Sequence, residues 1–334
     1  MLAAGWLGTT ATLLPWGLLA DRIGERAVLG TGLSGCAAAT AGAAYAPGLP
    51  SLCALLALGG AAGAGVNSAT GRAVMTWFGS DERGFALGVR QTAIPLGGLV
   101  AAVCLPLLPS LRSAFLFLAG LCLVGALVGL VVLRDSPGDG VEADAVPWTL
   151  RDGRLWRLCF GSGLYLIAQV AMMSFTVLFL HDQRGFSTGE AAAVLAASQA
   201  LAVGTRIGAG RWSDRLGARV VPLRRIGFAS FATVALVAVL AGAPAWLLVP
   251  ALAVAGALSM AWNGLSFTAA AELAGRARSG AAIGFQQTML SLIGIGAPVA
   301  FAGAVSATSW QAAFALAALF PLAGVWLLRP LAER

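Results

Sequence analysis

The chain alternates between long apolar stretches and short segments that carry its charged residues. Several apolar stretches run for about 20 residues, the length that a helix needs to cross a bilayer. Their apolar residues come in blocks and do not alternate with polar ones, which excludes a transmembrane β-barrel. The pattern predicts an all-α polytopic membrane protein with eleven spans, near 2–20, 28–46, 50–71, 85–108, 113–133, 158–180, 190–209, 226–243, 246–270, 280–304 and 311–328.

Composition supports this class of protein. Hydrophobic residues make up 59% of the 334 residues and charged residues 10%, whereas about 25% of a soluble domain is charged. All cysteines lie in or at apolar stretches, which predicts small core residues instead of disulfides. The chain has one peripheral histidine, no embedded carboxylate and no cluster that resembles a metal site. We therefore expect no enzyme activity, no metal and no cofactor.

The basic residues indicate the orientation of the chain. All 21 are arginines, and the net charge is +7. With the segment 21–27 in the cytoplasm and alternating spans, seventeen arginines fall on the cytoplasmic side and only Arg112 and Arg184 on the outer side. This asymmetry follows the positive-inside rule and explains the charge without a nucleic-acid partner. Together with an Ala-, Gly- and Arg-rich composition typical of bacteria, it predicts a bacterial cytoplasmic membrane protein with a cytoplasmic C-terminus.

The sequence contains an internal repeat. The segment "GLLADRIGER" at 17–26 shares five identities with "GRWSDRLGAR" at 210–219, 193 positions later. At the similar offset of 196, "GFALGVRQT" (84–92) matches "GAAIGFQQT" (280–288). Because the matches keep one order along the chain, they predict a duplicated helical bundle. Internal symmetry of this kind is typical of secondary transporters.

A linker separates the two repeats. Residues 134–157 are rich in Pro, Gly and acidic residues, which is typical of a flexible connection. We predict an N-terminal half of five spans at 1–133, a cytoplasmic linker at 134–157 and a C-terminal half of six spans at 158–334.

The two charged segments resemble the signature loop of the major facilitator superfamily, which joins the family's second and third helices, and its weaker echo between the eighth and ninth. The residues that carry the resemblance are Gly17, Asp21, Arg22, Gly24, Arg26, Gly210, Asp214, Arg215, Gly217 and Arg219. The resemblance implies two pseudo-symmetric six-helix bundles that rock about a midplane site to alternate access. Eleven of the twelve family helices are then present. We expect a truncated chain or a start codon assigned too late, which an apolar stretch encoded upstream in frame would confirm.

The resemblance also implies a role for the two aspartates as gating latches. Asp21 is expected to face the helix start at 279–284 and Asp214 the helix start at 83–88, where small residues allow close approach. A helix N-terminus carries positive partial charge, so each contact is expected to contribute about 0.3–2 kcal/mol. The glycines permit the tight turns. Neutralising either aspartate is expected to shift the protein towards its inward-facing state.

Two arginines are embedded within predicted spans. Arg90 lies six residues beyond Gly84, about 9 Å along a helix, and Arg206 lies four residues before Gly210, about 6 Å along. A membrane-embedded charge is costly and usually faces a cavity or a partner, although snorkelling to the headgroups is an alternative, particularly for Arg206. The predicted substrate site consists of Arg90, Gln91, Arg206, Asn67, Gln169, Gln199, Asn263 and Gln287.

These residues predict a secondary active transporter for a small anionic metabolite, because guanidinium groups match carboxylate and oxyanion geometry. The alternatives are a hydrophobic drug or multidrug exporter, a non-transporting sensor and a truncated inactive member. The expected partners are a small-molecule substrate and the lipid bilayer. A coupling proton is left open, and a monomer is expected.

Overall fold

The computed structural model describes residues 2–133 and 152–332, which form helices and short connections without a β-strand. Each of the eleven predicted spans coincides with one helix or with two consecutive helices. The helices are α1 Leu2–Ile23, α2 Glu25–Ala43, α3 Leu49–Gly63, α4 Gly65–Trp77, α5 Arg83–Gln91, α6 Ala93–Cys104, α7 Leu111–Val132, α8 Gly153–Arg184, α9 Thr188–Leu216, α10 Val220–Leu240, α11 Ala245–Ser259, α12 Asn263–Ala274, α13 Ser279–Ala307, α14 Trp310–Leu327 and α15 Arg329–Ala332.

Eight helical segments of the described residues are long and apolar enough to cross a membrane. They are Leu49–Trp77, Leu111–Val132, Gly153–Arg184, Thr188–Leu216, Val220–Leu240, Ala245–Ala274, Arg276–Ala307 and Trp310–Leu331. The predicted spans 2–20, 28–46 and 85–108 are also helical but do not belong to this set.

The two signature segments are not the loops that the sequence pattern predicts. Helix α1 continues through Asp21 to Ile23, and α9 continues through Asp214 to Leu216. The chain leaves the helix only at Gly24 in the first segment and at 217–219 in the second, with φ of 85° at Gly24 and 58° at Gly217. Both glycines therefore occupy the conformations that other residues rarely adopt, as the repeat predicts.

Three predicted spans are interrupted. Helix α3 gives way to α4 at Ala64, α11 to α12 at 260–262, and α5 to α6 at Thr92. The first two breaks lie 196 residues apart and are related by the repeat. The third follows from Pro95, which has no N–H to donate to the carbonyl of Gln91 four residues earlier.

The chain divides into two compact units. The first contains 1–78, 96–150 and 270–288, and the second contains 79–95, 151–269 and 289–334. Each unit thus includes a short segment from the other predicted half. Residues 134–151 of the predicted linker lie outside the described residues, so the boundary at 134–157 stays a prediction.

In the first unit, α1 packs against α3 through small residues. A side chain at Gly60 would collide with the carbonyl of Gly5, so the two backbones are in direct contact. Thr12 Oγ1 donates to the carbonyl of Ala61 at 2.8 Å, and Trp16 Nε1 donates to the same oxygen at 2.6 Å. Small residues and interhelical hydrogen bonds of this kind hold helices together in lipid, where the hydrophobic effect does not.

The second unit repeats this arrangement with α9 and α11. Thr205 Oγ1 donates to the carbonyl of Ala257 at 3.2 Å. Thr205 follows Thr12 by 193 positions, and Ala257 follows Ala61 by 196. The same hydrogen bond therefore supports the corresponding helix pair of both units, just before the repeat-related breaks.

The second unit contains an aromatic cluster. Rings on α8, α13 and α14 pack with centroids between 4.7 and 6.5 Å apart. The residues are Phe175, Phe179, Phe301, Trp310 and Phe314. These offset and edge-on contacts are the geometries that aromatic pairs prefer.

Candidate gating contacts and substrate site

The Asp21 carboxylate caps the N-terminus of α13 within the first unit. The amide of Gly280 donates to Oδ1 at 2.9 Å, and the amide of Ala281 donates to Oδ2 at 2.7 Å. Both amides belong to the first turn of the helix, where no intrahelical acceptor is available to them. The carboxylate satisfies these donors and lies at the positive end of the helix dipole.

Asp214 makes the same contact with α5 within the second unit. The amide of Gly84 donates to Oδ1 at 2.9 Å, and the amide of Phe85 donates to Oδ2 at 2.7 Å. The two aspartates thus bind the helix starts at 279–284 and 83–88 that the sequence predicts. Their role in gating stays a prediction.

Glycines allow this approach. A Cβ at Gly280 would lie 2.8 Å from the carbonyl oxygen of Gly17, and one at Gly84 would lie 2.7 Å from that of Gly210. Both obstacles are backbone atoms, which cannot move aside as a flexible side chain does. The first glycine of each signature segment is therefore part of the contact.

Arg72 contacts both Asp21 and Glu25, and the sequence pattern does not predict this role for either Arg72 or Glu25. Arg72 Nε lies 3.3 Å from Asp21 Oδ1, and its Nη1 lies 3.0 Å from Glu25 Oε2. Thr76 donates to the other oxygen of Glu25 at 3.2 Å. Glu25 is 1% exposed, so this acidic residue is far more buried than its position next to a turn predicts. The i, i+4 spacing of Arg72 and Thr76 places both side chains on one helix face, and this spacing was the sequence feature that could have indicated a shared partner.

The pKa of Asp21 reflects its burial. Loss of water around the carboxylate raises its pKa from 3.8 to about 6, although the amides of Ala281 and Gly280 and the Arg72 guanidinium lower it. Asp21 lies just beyond the predicted span 2–20. Its ionised form is therefore held in the contact at a substantial desolvation cost.

The arginines of the two signature segments differ in their contacts. Arg219 donates to Asp214 Oδ1, to the Ser80 carbonyl and, at 3.0 Å, to Ser213 Oγ. Its repeat-related counterpart Arg26 instead donates to the carbonyl of Leu130 at 2.9 Å. Arg22 and Arg215 are exposed, as expected of residues that only orient a membrane protein.

Arg206 joins two broken helices in the second unit. This residue is 2% exposed; its Nη1 donates to the carbonyl of Gln91 at 2.9 Å and its Nε to the carbonyl of Met260 at 3.1 Å. The first oxygen is the one that Pro95 leaves without an intrahelical donor. The second lies at the break between α11 and α12. A cation at the carbonyl end of a helix is electrostatically favourable, which accounts for a buried guanidinium here.

The internal repeat does not reproduce this arrangement at the corresponding positions. The counterpart of Arg206 is Leu13, and the counterpart of Pro95 is Ser291. Leu13 is buried, and α13 runs without a break past Gln287. The helix break and the arginine therefore occur together in the second unit, and both are absent at the repeat-related positions 13 and 287–291.

The remaining predicted polar residues of the second unit lie close to this junction or on the helices that form it. Arg90 directly precedes the residue whose carbonyl Arg206 binds, and its Nη1 is buried. Asn263 Nδ2 donates to Gln169 Oε1 at 3.4 Å. Gln199 lies two turns before Arg206 on α9, and its Oε1 is buried without a hydrogen-bond partner among the described residues.

The predicted substrate residues do not all belong to one unit. Arg90, Gln91, Gln169, Gln199, Arg206 and Asn263 belong to the second unit, whereas Asn67 and Gln287 belong to the first. Both residues of the first unit are half-buried. The arginines and four of the six amide side chains therefore share one compact unit.

Sequence comparisons identify related proteins. The Major Facilitator Superfamily model matches residues 1–298. The "Uncharacterized MFS-type transporter Rv2994" of Mycobacterium tuberculosis H37Rv is 33% identical over 327 residues, covering 96% of this chain and 74% of the relative. The transporter MT3072 of strain CDC 1551 matches with the same identity and coverage.

Solved structures share the fold. The human organic anion transporter MFSD10 (TETRAN) aligns with a TM-score of 0.83 and 18% identity, covering 98% of this chain and 82% of that one. The transporter FucP in its outward conformation aligns with a TM-score of 0.77 and 17% identity, covering 98% of this chain and 88% of that one. At these identities the likeness concerns the fold alone.

Proposed function

This chain belongs to the major facilitator superfamily, a family of transporters rather than enzymes, and from that membership we propose that it moves a small anionic solute by alternating access. The proposal makes it a secondary active transporter, and the internal repeat supports that class. The observation that carries the choice of substrate is the embedded guanidinium of Arg90, which directly precedes the helix junction that Arg206 holds.

The two aspartate contacts support the gating part of the proposal. Each joins a helix end of one predicted half to a helix start of the other, and both contacts use the same atoms. Such a contact is broken when the two segments separate. At about 0.3–2 kcal/mol each, the contacts are strong enough to bias a two-state equilibrium and weak enough to open thermally. We assign them to the closed cytoplasmic side of the outward-open state.

The arginines support an anionic substrate. Guanidinium groups in a membrane span are expensive and mark substrate pathways more often than not. Main-chain carbonyls hold Arg206 at two points, so we assign it to the helix junction and assign the solute contact to Arg90. Gln91 and Asn263 are the neutral donors that we expect beside the bound anion.

The fold by itself does not select the substrate. One structural neighbour is an organic anion transporter and another is the E. coli fucose:proton symporter FucP, with 18% identity to this chain in both cases. Proteins of this fold thus accept both charged and neutral solutes. The choice of an anion rests on the arginines of this chain.

Replacement of Arg90 tests the proposal. We expect Arg90→Gln to abolish uptake of the anion into proteoliposomes and its thermal stabilisation of the protein, while expression and folding are retained. Arg225→Gln is the matched control, because it removes an equal charge from an exposed arginine on α10. The screen compares small carboxylates, inorganic oxyanions, cations and hydrophobic drugs.

Two outcomes would contradict an anion transporter. Export of cationic dyes that survives Arg90→Gln, without any anion that stabilises the wild type, would identify a hydrophobic drug exporter. Binding of a solute without uptake of any solute would identify a sensor.

We also propose the cellular setting. The arginine distribution supports a bacterial cytoplasmic membrane with the C-terminus in the cytoplasm. A C-terminal tag is then expected to be digested by protease in inverted vesicles and protected in intact spheroplasts. Protection in inverted vesicles would reverse the orientation.

A further inference from the structure

Helices α2 and α7 of the first unit approach each other on three successive levels. A side chain at Gly129 would collide with Leu29, and a Cβ at Gly125 would lie 3.4 Å from Leu33 Cδ1. On the next level, Cys36 faces Cys122. The paired positions run antiparallel along the two helices at intervals of three or four residues, so that they share one face of each helix. The glycines bring the backbones close together on the face that ends in the two thiols.

The two thiols are close enough to react with each other. Their Sγ atoms are 3.8 Å apart, and both cysteines are free and half-buried. A disulfide requires an Sγ–Sγ distance of about 2.05 Å, so the sulfurs must approach by about 1.8 Å. The pair therefore differs from a lone buried cysteine, which is chemically inert.

We propose that Cys36 and Cys122 form a reversible disulfide with a lipid-soluble quinone as the oxidant. Both cysteines lie near the middle of predicted spans, where water-soluble oxidants are excluded and a quinone is soluble. In the balanced reaction two S–H bonds break and one S–S bond forms. The two electrons and two protons pass to the quinone, which becomes the hydroquinone.

The bond would fasten α2 to α7 beside a helix break. Cys36 Sγ lies 3.4 Å from the position of a Cβ at Gly63, the last residue of α3 before the break at Ala64. Disulfide formation would draw this sulfur towards α7 and away from α3. This proposal is independent of the substrate and of the gating contacts.

Thiol counting in the full-length protein tests the proposal. The protein in lipid nanodiscs is treated with duroquinone, quenched, unfolded in SDS and labelled with a maleimide. We expect three labelled cysteines after oxidation and five before it. The expected product has lost two hydrogen atoms and yields one linked peptide pair containing Cys36 and Cys122. Five labels after treatment, or a pair with another cysteine, would overturn the proposal.

Three variants separate proximity from general thiol oxidation. With Cys36→Ala, Cys122 is expected to stay labelled after treatment, whereas Cys53→Ala is expected to leave the linked pair intact. Gly129→Val touches neither thiol but pushes α7 away from Leu29, and we expect at least a tenfold slower oxidation. An unchanged oxidation rate in a folded Gly129→Val protein would show that close helix packing does not bring the thiols together.

Discussion

Arg206 and Pro95 are predicted to depend on each other. In the wild type, Arg206 donates to the Gln91 carbonyl that Pro95 leaves without a donor. The informative change is Arg206→Leu, which installs the residue type found at the repeat-related position 13. Pro95→Ala restores an N–H at the position from which a helix normally donates to Gln91. We expect the second change to compensate for part of the first.

The expected magnitude follows from the hydrogen bonds. Arg206→Leu leaves two carbonyls without their donors, and each buried unsatisfied group costs about 1–3 kcal/mol. Removing a buried charge offsets some of this loss, so the single variant is expected to lose only a few kcal/mol of unfolding free energy. The coupling energy between Arg206→Leu and Pro95→Ala is a more specific test, because it concerns the Gln91 carbonyl alone. We expect a coupling of about 1–2 kcal/mol, with Pro95→Ala more stabilising in the Arg206→Leu variant than in the wild type.

A double-mutant cycle measures this coupling. The free energy of unfolding is determined by titration with SDS in mixed micelles for the wild type, both single variants and the double variant. Pro298→Ala is the control, because this proline lies within α13, which is not one of the broken helices that Arg206 joins. Its effect should add to that of Arg206→Leu. A coupling below about 0.5 kcal/mol between Arg206 and Pro95 would refute the proposed link.

Three further changes test the gating contacts and the helix junction. The pKa of Asp21 is raised from 3.8 to about 6 in the folded protein, so its stabilising contribution is full below about pH 4 and lost as the pH rises through about 6. Asp21→Asn should therefore remove at most about 3 kcal/mol of the change in unfolding free energy between about pH 4 and pH 6. An unchanged pH dependence in this variant would exclude the Asp21 carboxyl as its source. Asp214→Asn removes one of two acceptors for the α5 amides and should raise the inward-facing population, measured by spin-label distances. An unchanged distance distribution would argue against a latch. Gly88→Val would place a Cβ 2.7 Å from the carbonyl oxygen of Arg206 and should lower the melting temperature, with an expected cost of about 1–3 kcal/mol. Gly97→Ala is the control, because a Cβ at Gly97 would meet none of the described atoms within 4 Å, and it should be tolerated. Equal melting temperatures would contradict the close packing of α5 on α9.

The sequence by itself determined the class of protein and the positions of its helices. Apolar blocks of membrane-spanning length have few physical solutions, because every backbone polar group must be satisfied within the segment. The resemblance of the two charged segments to the signature loops of the major facilitator superfamily likewise predicted which helix start each aspartate binds. The role of glycine at positions 24 and 217 was also predictable from the sequence, because few other residues adopt a positive φ.

Only the tertiary structure decided what the buried charges contact. Glu25 follows a turn in the sequence, yet Arg72 from another helix makes its burial favourable. The sequence predicts Arg206 as a substrate ligand because it contains no embedded carboxylate to pair with this arginine. The partners of Arg206 are main-chain carbonyls, which every residue possesses and no sequence pattern distinguishes. A carbonyl becomes a specific partner only where a proline or a helix break frees it and packing brings a donor within about 3 Å, and that coincidence exists only in three dimensions.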